Sequence, residues 1–389
     1  MAFELQRRGH AVTVLAPIPD YPFGKYYKGY GVFKRRKEVI NGVKVIRTFV
    51  TPRRNASPKW MALNYFTHTL FSTLRAARLG LSEKYDTIIV HETSPVTIGI
   101  PAVIIKKIRK IPLHFWVLDL WPESLTAAGG IKNQKILNFF GRITSWLYKN
   151  SDNILIGSKG YRKSINRLGD FDAKIHYFPN WIDTELIEVK KVSAPPIPDG
   201  FNVLFAGNIG DAQDFPHILE AANILKDSNI NFVFVGDGRK KEWVINKAKE
   251  LKLGNVFCLG KFPLEMMSGF FEQADILLLS LKDSPIFKIT VPAKLQAYMS
   301  SGKPIVAMIN GEGRDVIREA DCGWSVKAED SQGLAMLLSK LSTTDSKVLK
   351  EKGNNGKRFS QQHYDFSKCI DNLESIINNK IFGSTHNII

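Results

Sequence analysis

Glycines standing directly behind apolar runs are the first residues in this chain with chemistry to offer. They are Gly207-Asn-Ile-Gly210, Gly236-Asp-Gly238, Gly260-Lys261 and Asn310-Gly-Glu312. Without a Cβ, glycine lets neighbouring backbone N–H groups come close to phosphate oxygens, and a helix that starts just afterwards adds a favourable dipole. The stretch Ser280 to Lys294 also follows an apolar run, without a glycine of its own. The corresponding places in the first half read His91-Glu-Thr-Ser-Pro95 and Asp119-Leu-Trp-Pro-Glu-Ser124. A carboxylate such as Asp119 can take a proton from a hydroxyl or orient a polar ligand. Its plain alternative is an N-cap for the next helix. Glu123 is the second choice in that segment. His91 is a third, although a lone histidine in a turn is more often structural, and His10 and His114 read as scaffold.

These residues need elements to hold them. Strand candidates in the first half are Ala11–Ala16, Val43–Phe49, Thr87–Val90, Leu113–Leu118, Asn153–Ile156 and Lys174–Phe178. In the second they are Asn202–Ala206, Asn231–Val235, Val256–Leu259, Ile276–Ser280, Pro304–Met308 and Gly323–Val326. Helical patterns lie between them, among them Phe215–Lys226, Lys240–Leu251, Ala293–Ser300 and Gln332–Leu341. This alternation predicts an α/β chain of two doubly wound domains with mainly parallel sheets, whose ligands sit outside the carboxyl ends of the strands. The glycine-rich second half is then the better phosphate or nucleotide site.

The expected division is 1–190 for the first domain, 191–200 for a linker rich in proline, 201–377 for the second domain and 378–389 for a loose tail. The chain opens inside a helix, Ala2 to Gly9, followed by the strand at His10-Ala11. The strand and glycine-rich turn that ordinarily begin a doubly wound domain are therefore missing from the pattern, and a truncated start is the favoured explanation.

Composition narrows the classes. The 389 residues are 44% apolar, too apolar for a disordered chain and long for one domain. Three cysteines, 64 and 47 residues apart, speak against a disulfide framework or a cysteine-rich zinc site and fit a reducing cytosol. No stretch approaches 18 consecutive apolar residues, and no signal-peptide pattern opens the chain. All of the net charge lies on one half: residues 1–195 hold 31 Lys+Arg against 14 Asp+Glu, and the remainder 23 against 23. The first half is thus expected to meet an anionic partner.

Ser280 through Ala307 resembles the signature region of retaining family 4 glycosyltransferases. Phe205 to Asp214, Val235-Gly-Asp-Gly238, Asp119 to Ser124 and Pro179-Asn-Trp-Ile-Asp183 follow in that family's order. Together they resemble the subgroup of L-fucosamine (N-acetyl-L-fucosamine) transferases of capsule and O-antigen assembly. The resemblance runs from Gln6 to about Ile376. It implies two Rossmann-like domains of the GT-B type with a cleft, and a nucleotide-sugar donor held mainly by the second. It also implies transfer from a nucleoside-diphosphate donor, read here as UDP-linked, with retention of configuration and no required metal or cofactor.

Departures from the family pattern locate the expected site residues. An Arg and a Lys that the wider family carries after the first strand glycine are replaced here by Asn208 and Gln213, and its two glutamates by Ile289 and Ala297. A diphosphate leaving group gathers negative charge that some cation or N–H donor must meet. Lys288 and Lys294, with the backbone N–H groups of Gly207 and Asn208, are the economical replacement. For Lys294 the alternative is a solvated first-turn lysine, although a cation there opposes the helix dipole. Gly236 and Ser280 complete the phosphate-facing set, and Gln296 is assigned a ribose hydrogen bond. Lys261 is read as flanking the base or phosphate and Phe262 as stacking on the base, against a surface lysine and a core phenylalanine. Glu312 is read as a donor-sugar contact or a loop acid. Asp170-Phe-Asp172 has the shape of a metal-binding D-x-D but falls at the wrong end of its strand and is set aside.

The helix pattern at Trp60, Leu63, Phe66, Leu70, Phe71 and Leu74, bracketed by arginines, fits a helix in a lipid interface. A second stretch, Lys132 to Lys149, reads as core at Trp146. The expected partners are a UDP-sugar, a lipid-linked (undecaprenyl-diphosphate) saccharide and an anionic membrane surface at the inner face of the cytoplasmic membrane. Nucleic acid is ranked low because no binding motif accompanies the charge. A catalytically inactive scaffold and a UDP-sugar epimerase remain the alternatives.

Overall fold

The protein is described by a computed structural model covering residues 1–55, 57–127, 130–182, 192–378 and 387–389. Its strands are β1 Ala11–Pro17, β2 Lys37–Ile40, β3 Val43–Thr48, β4 Ile88–Glu92, β5 Leu113–Val117, β6 Asn153–Ile156 and β7 Ile175–Tyr177. They continue with β8 Phe201–Ala206, β9 Ile230–Val235, β10 Val256–Gly260, β11 Ile276–Ser280, β12 Ile305–Met308, β13 Gly323–Val326 and β14 Asn387–Ile388. All twelve strands expected from the sequence are present, within about a residue or two at their ends.

The chain forms two compact units. One is Met1–Phe178 together with Ile370–Ile389, and the other is Pro179–Cys369. The division therefore falls ahead of the proline-rich segment, and the last helix crosses back into the first unit. Side chains give the reason. Arg8 bridges Asp371 and Glu374 at 2.6 Å each, and His10 Nε2 lies 2.8 Å from Glu374. The beginning of the expected linker, at 191, and most of the expected tail lie outside the described residues.

In the second unit six parallel strands run in the order β10-β9-β8-β11-β12-β13. β9, β11 and β12 are buried along their whole length. That explains their mainly apolar sequences, interrupted only by Asn231 in β9 and Ser280 at the end of β11, since helices cover both faces. Alternate residues feed two cores: Phe205, Phe232, Phe234 and Leu278 on one face, Leu204, Val233, Leu277 and Ala307 on the other. Phe205, Phe215 and Phe234 meet edge to face at 5.0 to 6.3 Å, contacts worth about 0.5–1.5 kcal/mol each beyond area burial.

In the first unit β4-β5-β6-β7 are parallel neighbours, and β1 pairs in parallel with β3. β2 and β3 form a hairpin whose turn, Asn41-Gly42, has both φ angles positive (47° and 81°). The other edge of β1 is taken by β14, pairing Ala11 with Asn387 and Val12 with Ile388. On its far side the same segment receives the Asp86 N–H at Asn387 O (2.8 Å) and the Ile89 N–H at Ile389 O (3.0 Å). The C-terminal residues thus sit between β1 and β4, the position a doubly wound sheet ordinarily gives its first strand.

Candidate functional site

The strand order of the second unit reverses between β8 and β11, and such a switch point opens a crevice at the carboxyl ends of the two strands. β8 ends there at Ala206, with Gly207 next, and β11 ends at Ser280. Gly207 has φ +129° and donates its N–H to Val235 O at 2.8 Å. Gly236, after β9, packs so closely that a Cβ on it would lie 1.8 Å from Gly207 O. These glycines let two strand-end turns touch through bare backbone. The side chain of the exposed Asn208 occupies space that a Cβ on Gly210 or Gly238 would need.

Lys294 enters this crevice from the first turn of the helix Ala293–Ser301. Its side chain crosses over Gly207, where a Cβ would meet the Lys294 Cε at 2.7 Å, and its Nζ stands 3.7 Å from the centroid of the Phe205 ring. The Nζ is buried and has no hydrogen-bond partner. Burial lowers its pKa to about 7. An ammonium held against one aromatic face, with no acceptor and next to the positive end of a helix, is poised for an anion. Ser280 Oγ is likewise buried without a partner at the end of β11. Tyr298, one turn further along the helix, accepts the Ala206 N–H at 2.9 Å and donates to Ala206 O at 3.2 Å. It locks the Lys294 helix to the end of β8, a role that only the tertiary fold reveals.

The other expected residues of this unit are placed differently. Lys288 Nζ is paired with Asp283 Oδ1 at 2.8 Å, and Asp283 also accepts from Asn310 Nδ2 at 3.1 Å. Hydrogen bonding from Lys288 is the main reason the Asp283 carboxyl is held below its usual range. Glu312 is the first residue of the helix Glu312–Glu319, just after Gly311, whose φ of +75° brings it against Lys288 O. Lys261 is exposed. Phe262 packs edge to face on the core ring of Phe270, 4.8 Å between centroids. Gln296 is buried, 3% exposed, on the Lys294 helix.

In the first unit, β4 and β5 bring Glu92 and Asp119 together. The Asp119 N–H donates to Glu92 Oε2 at 3.1 Å, and Asp119 Oδ2 accepts from Ser94 Oγ at 2.6 Å. Glu92 is fully buried and its Oε1 has no partner. Burial first, and the Asp119 charge second, push its carboxyl well above the usual range. Glu92 is thus the buried member of the pair, pushed toward its protonated form, and the less buried Asp119 lies directly beside it. Glu92 was not singled out from the sequence. Glu123 is half-buried with one carboxylate oxygen unpartnered, and burial raises its pKa. His91 points to the surface with its ring against Trp116, 5.0 Å between centroids. Asp172 of the D-x-D segment is taken up by Arg162 at 2.6 Å and Asn166 at 2.9 Å. Among the described residues no group of three or more His, Cys, Asp or Glu is disposed to hold a metal ion.

Comparison with known proteins follows the two units closely. Residues 1–186 match the family described as Glycosyltransferase Family 4, and residues 188–359 that described as Glycosyl transferases group 1. A probable glycosyltransferase of Pseudomonas aeruginosa, WbjE, is 27% identical over 279 residues, which is 67% of this chain and 69% of that protein. The putative colanic acid biosynthesis glycosyl transferase WcaI of Escherichia coli K12 is 22% identical over 313 residues, covering 77% and 75%. Anabaena HepE, solved in complex with UDP and glucose, superposes with a TM-score of 0.62 at 13% identity over 87% of each chain, a likeness of fold.

Proposed function

From a chain that carries the Family 4 and group 1 domains of a glycosyltransferase, we propose the following activity. The enzyme moves a sugar, N-acetyl-L-fucosamine or a related amino sugar, from a UDP donor to a lipid-linked saccharide in capsule or O-antigen assembly, with retention at the anomeric carbon and without a resident metal. The second unit takes the donor and the first the acceptor. The observation that carries this reading is Lys294: a buried, unpartnered ammonium over Gly207 at the strand switch point. It would meet the charge that gathers on the diphosphate as the C1–O bond breaks. Ser280 and the Gly207–Asn208 backbone would complete the cradle, while Asp119 takes the proton of the attacking hydroxyl.

A lipid-linked acceptor on an undecaprenyl-diphosphate carrier is favoured by the helix Pro58–Ser82. Its buried side is lined by Asn64, Thr67, Ser72 and Ala76, while Phe66 (63%) and Leu74 (60%) are exposed together with Leu63 and Leu70. An apolar face turned outward, on the unit that carries the whole net positive charge, suits the surface of an anionic membrane. No helix among the described residues is long and apolar enough to cross one.

The test is transfer of labelled sugar from a UDP donor to undecaprenyl-diphosphate saccharide in the presence of a chelator. Product that requires the acceptor supports the reading. Conversion of the donor without acceptor would mean an epimerase, and nucleotide binding without either product a scaffold.

A further inference from the structure

The carboxyl end of the first unit's sheet holds a cation that the proposed reaction leaves unused. Arg53 lies in the loop after β3. Its guanidinium carbon is 5.3 Å from the ring centroid of Tyr21 and 5.8 Å from that of Tyr65. Its Nε is buried with no hydrogen-bond partner, and no ion pair to its guanidinium occurs among the described residues. Asp20 does not serve it, because that carboxylate accepts the backbone N–H of Arg53 (2.9 Å) and Nδ2 of Asn64 (3.1 Å). The loop is thereby fixed while the guanidinium fork is left over. The two rings hold the cation by its face but offer its N–H groups no acceptor, which an arriving anion would supply.

The surroundings suit a phosphate. Tyr65, whose hydroxyl is raised chiefly by burial, also senses the charges of Arg53 and Asp119, so both groups lie in its neighbourhood. His68, one turn further on the helix, is lowered to about 4 by burial first and by Arg53 second. Both effects favour the neutral imidazole at physiological pH. Tyr21 is 68% exposed, and beside it Arg54 stacks on Trp60 at 3.7 Å. The planar fork of arginine matches phosphate oxygens two at a time.

We propose that Arg53, clamped between Tyr21 and Tyr65, binds the phosphate of a discrete phosphate-linked acceptor and so sets the distance at which the acceptor's reacting hydroxyl meets Asp119. The proposal rests on the acceptor reading given above.

The experiment is calorimetric titration of inorganic diphosphate into the whole chain already saturated with UDP, with UDP binding measured first in the same cell. Arg53→Gln should bind diphosphate at least tenfold more weakly than the unaltered chain. Arg53→Lys, which keeps the charge and loses the fork, should fall between. Tyr21→Ala, a surface change with little folding consequence, should weaken binding severalfold. Equal diphosphate affinity in Arg53→Gln and the unaltered chain would overturn the proposal, as would no diphosphate binding by either. It would also be overturned if Arg53→Gln lost only retention on phosphatidylglycerol vesicles relative to phosphatidylcholine, because Arg53 would then serve bulk headgroups. Failure of UDP to bind leaves the Arg53 difference readable and counts against the donor reading alone.

Discussion

The Nζ of Lys294 stands 3.7 Å from the centre of the Phe205 ring, and the absence of a side chain at Gly207 is what lets it reach there. The lysine is held where the folded protein offers its charge one aromatic ring and no hydrogen-bond acceptor. Such a residue is expected to trade stability for binding.

Replacing it with an apolar residue of similar length therefore has opposite effects on two measurements. Lys294→Met is expected to raise Tm, because a buried unpaired ammonium is removed. It is also expected to lower kcat/KM for the donor at least tenfold, a loss of about 1.4 kcal/mol. Thermal melts and initial rates check the two halves separately.

A proton should accompany the nucleotide. With its pKa near 7, Lys294 is largely neutral in the free chain at pH 8, whereas an adjacent diphosphate favours the charged form. UDP binding should thus be flat below pH 7 and weaken by up to tenfold per unit above it, with proton uptake visible as a buffer-dependent heat. The sign for folding is the reverse. Between pH 7 and the ordinary lysine range the unfolded chain binds more protons, so the ligand-free protein gains stability as pH rises. Both dependences should vanish in Lys294→Met.

The two glycines of the crevice predict different failures. Alanine at Gly236 puts its Cβ 1.8 Å from the carbonyl oxygen of Gly207, at φ +148°, so backbone must move. About 1–3 kcal/mol of stability should be lost to conformation alone. Alanine at Gly207 meets the flexible Cε of Lys294 at 2.7 Å. Since Gly207 also has a positive φ, some stability is lost there too, but the larger effect should be on nucleotide affinity. Denaturant melts and UDP titrations separate them.

Tyr298→Phe removes the hydroxyl that serves both the N–H and the carbonyl of Ala206. Leaving these buried groups unpaired should cost about 1–3 kcal/mol. KM for the donor should rise because the Lys294 helix is no longer tied to β8.

In the first unit, Glu92→Gln is expected to be close to neutral in both stability and rate at pH 7, because burial already favours the uncharged form of this acid. Asp119→Asn should lower kcat by about 10²-fold or more if the carboxylate takes up the hydroxyl's proton. Rates at saturating donor compare the two directly.

Most of the architecture was legible in the sequence because buried parallel strands are mainly apolar runs, and glycines mark their carboxyl ends. Two strands were not found, for different reasons. β2 is half exposed, but the Asn41-Gly42 turn that folds it onto β3 was a usable signal that went unread. β14 is two residues long and pairs with β1 across nearly the whole chain, which no local pattern can announce. Within the site, Lys294 was legible only through the family resemblance, as a cation in place of those missing at Asn208 and Gln213. Its freedom from any partner, and the opposite fate of Lys288 on Asp283, were decided by tertiary neighbours. Glu92, Tyr298 and Arg53 likewise have ordinary sequence surroundings and acquire their significance only from what packs on them.

The central claim is that Lys294 receives the diphosphate of a UDP-linked donor. Its most direct test is calorimetry of UDP, GDP and ADP against the unaltered chain and Lys294→Met at pH 8, with a chelator present. The account predicts UDP-selective binding with net proton uptake in the unaltered chain, and at least tenfold weaker binding without proton uptake in the variant. Equal UDP affinity in the two chains would contradict it.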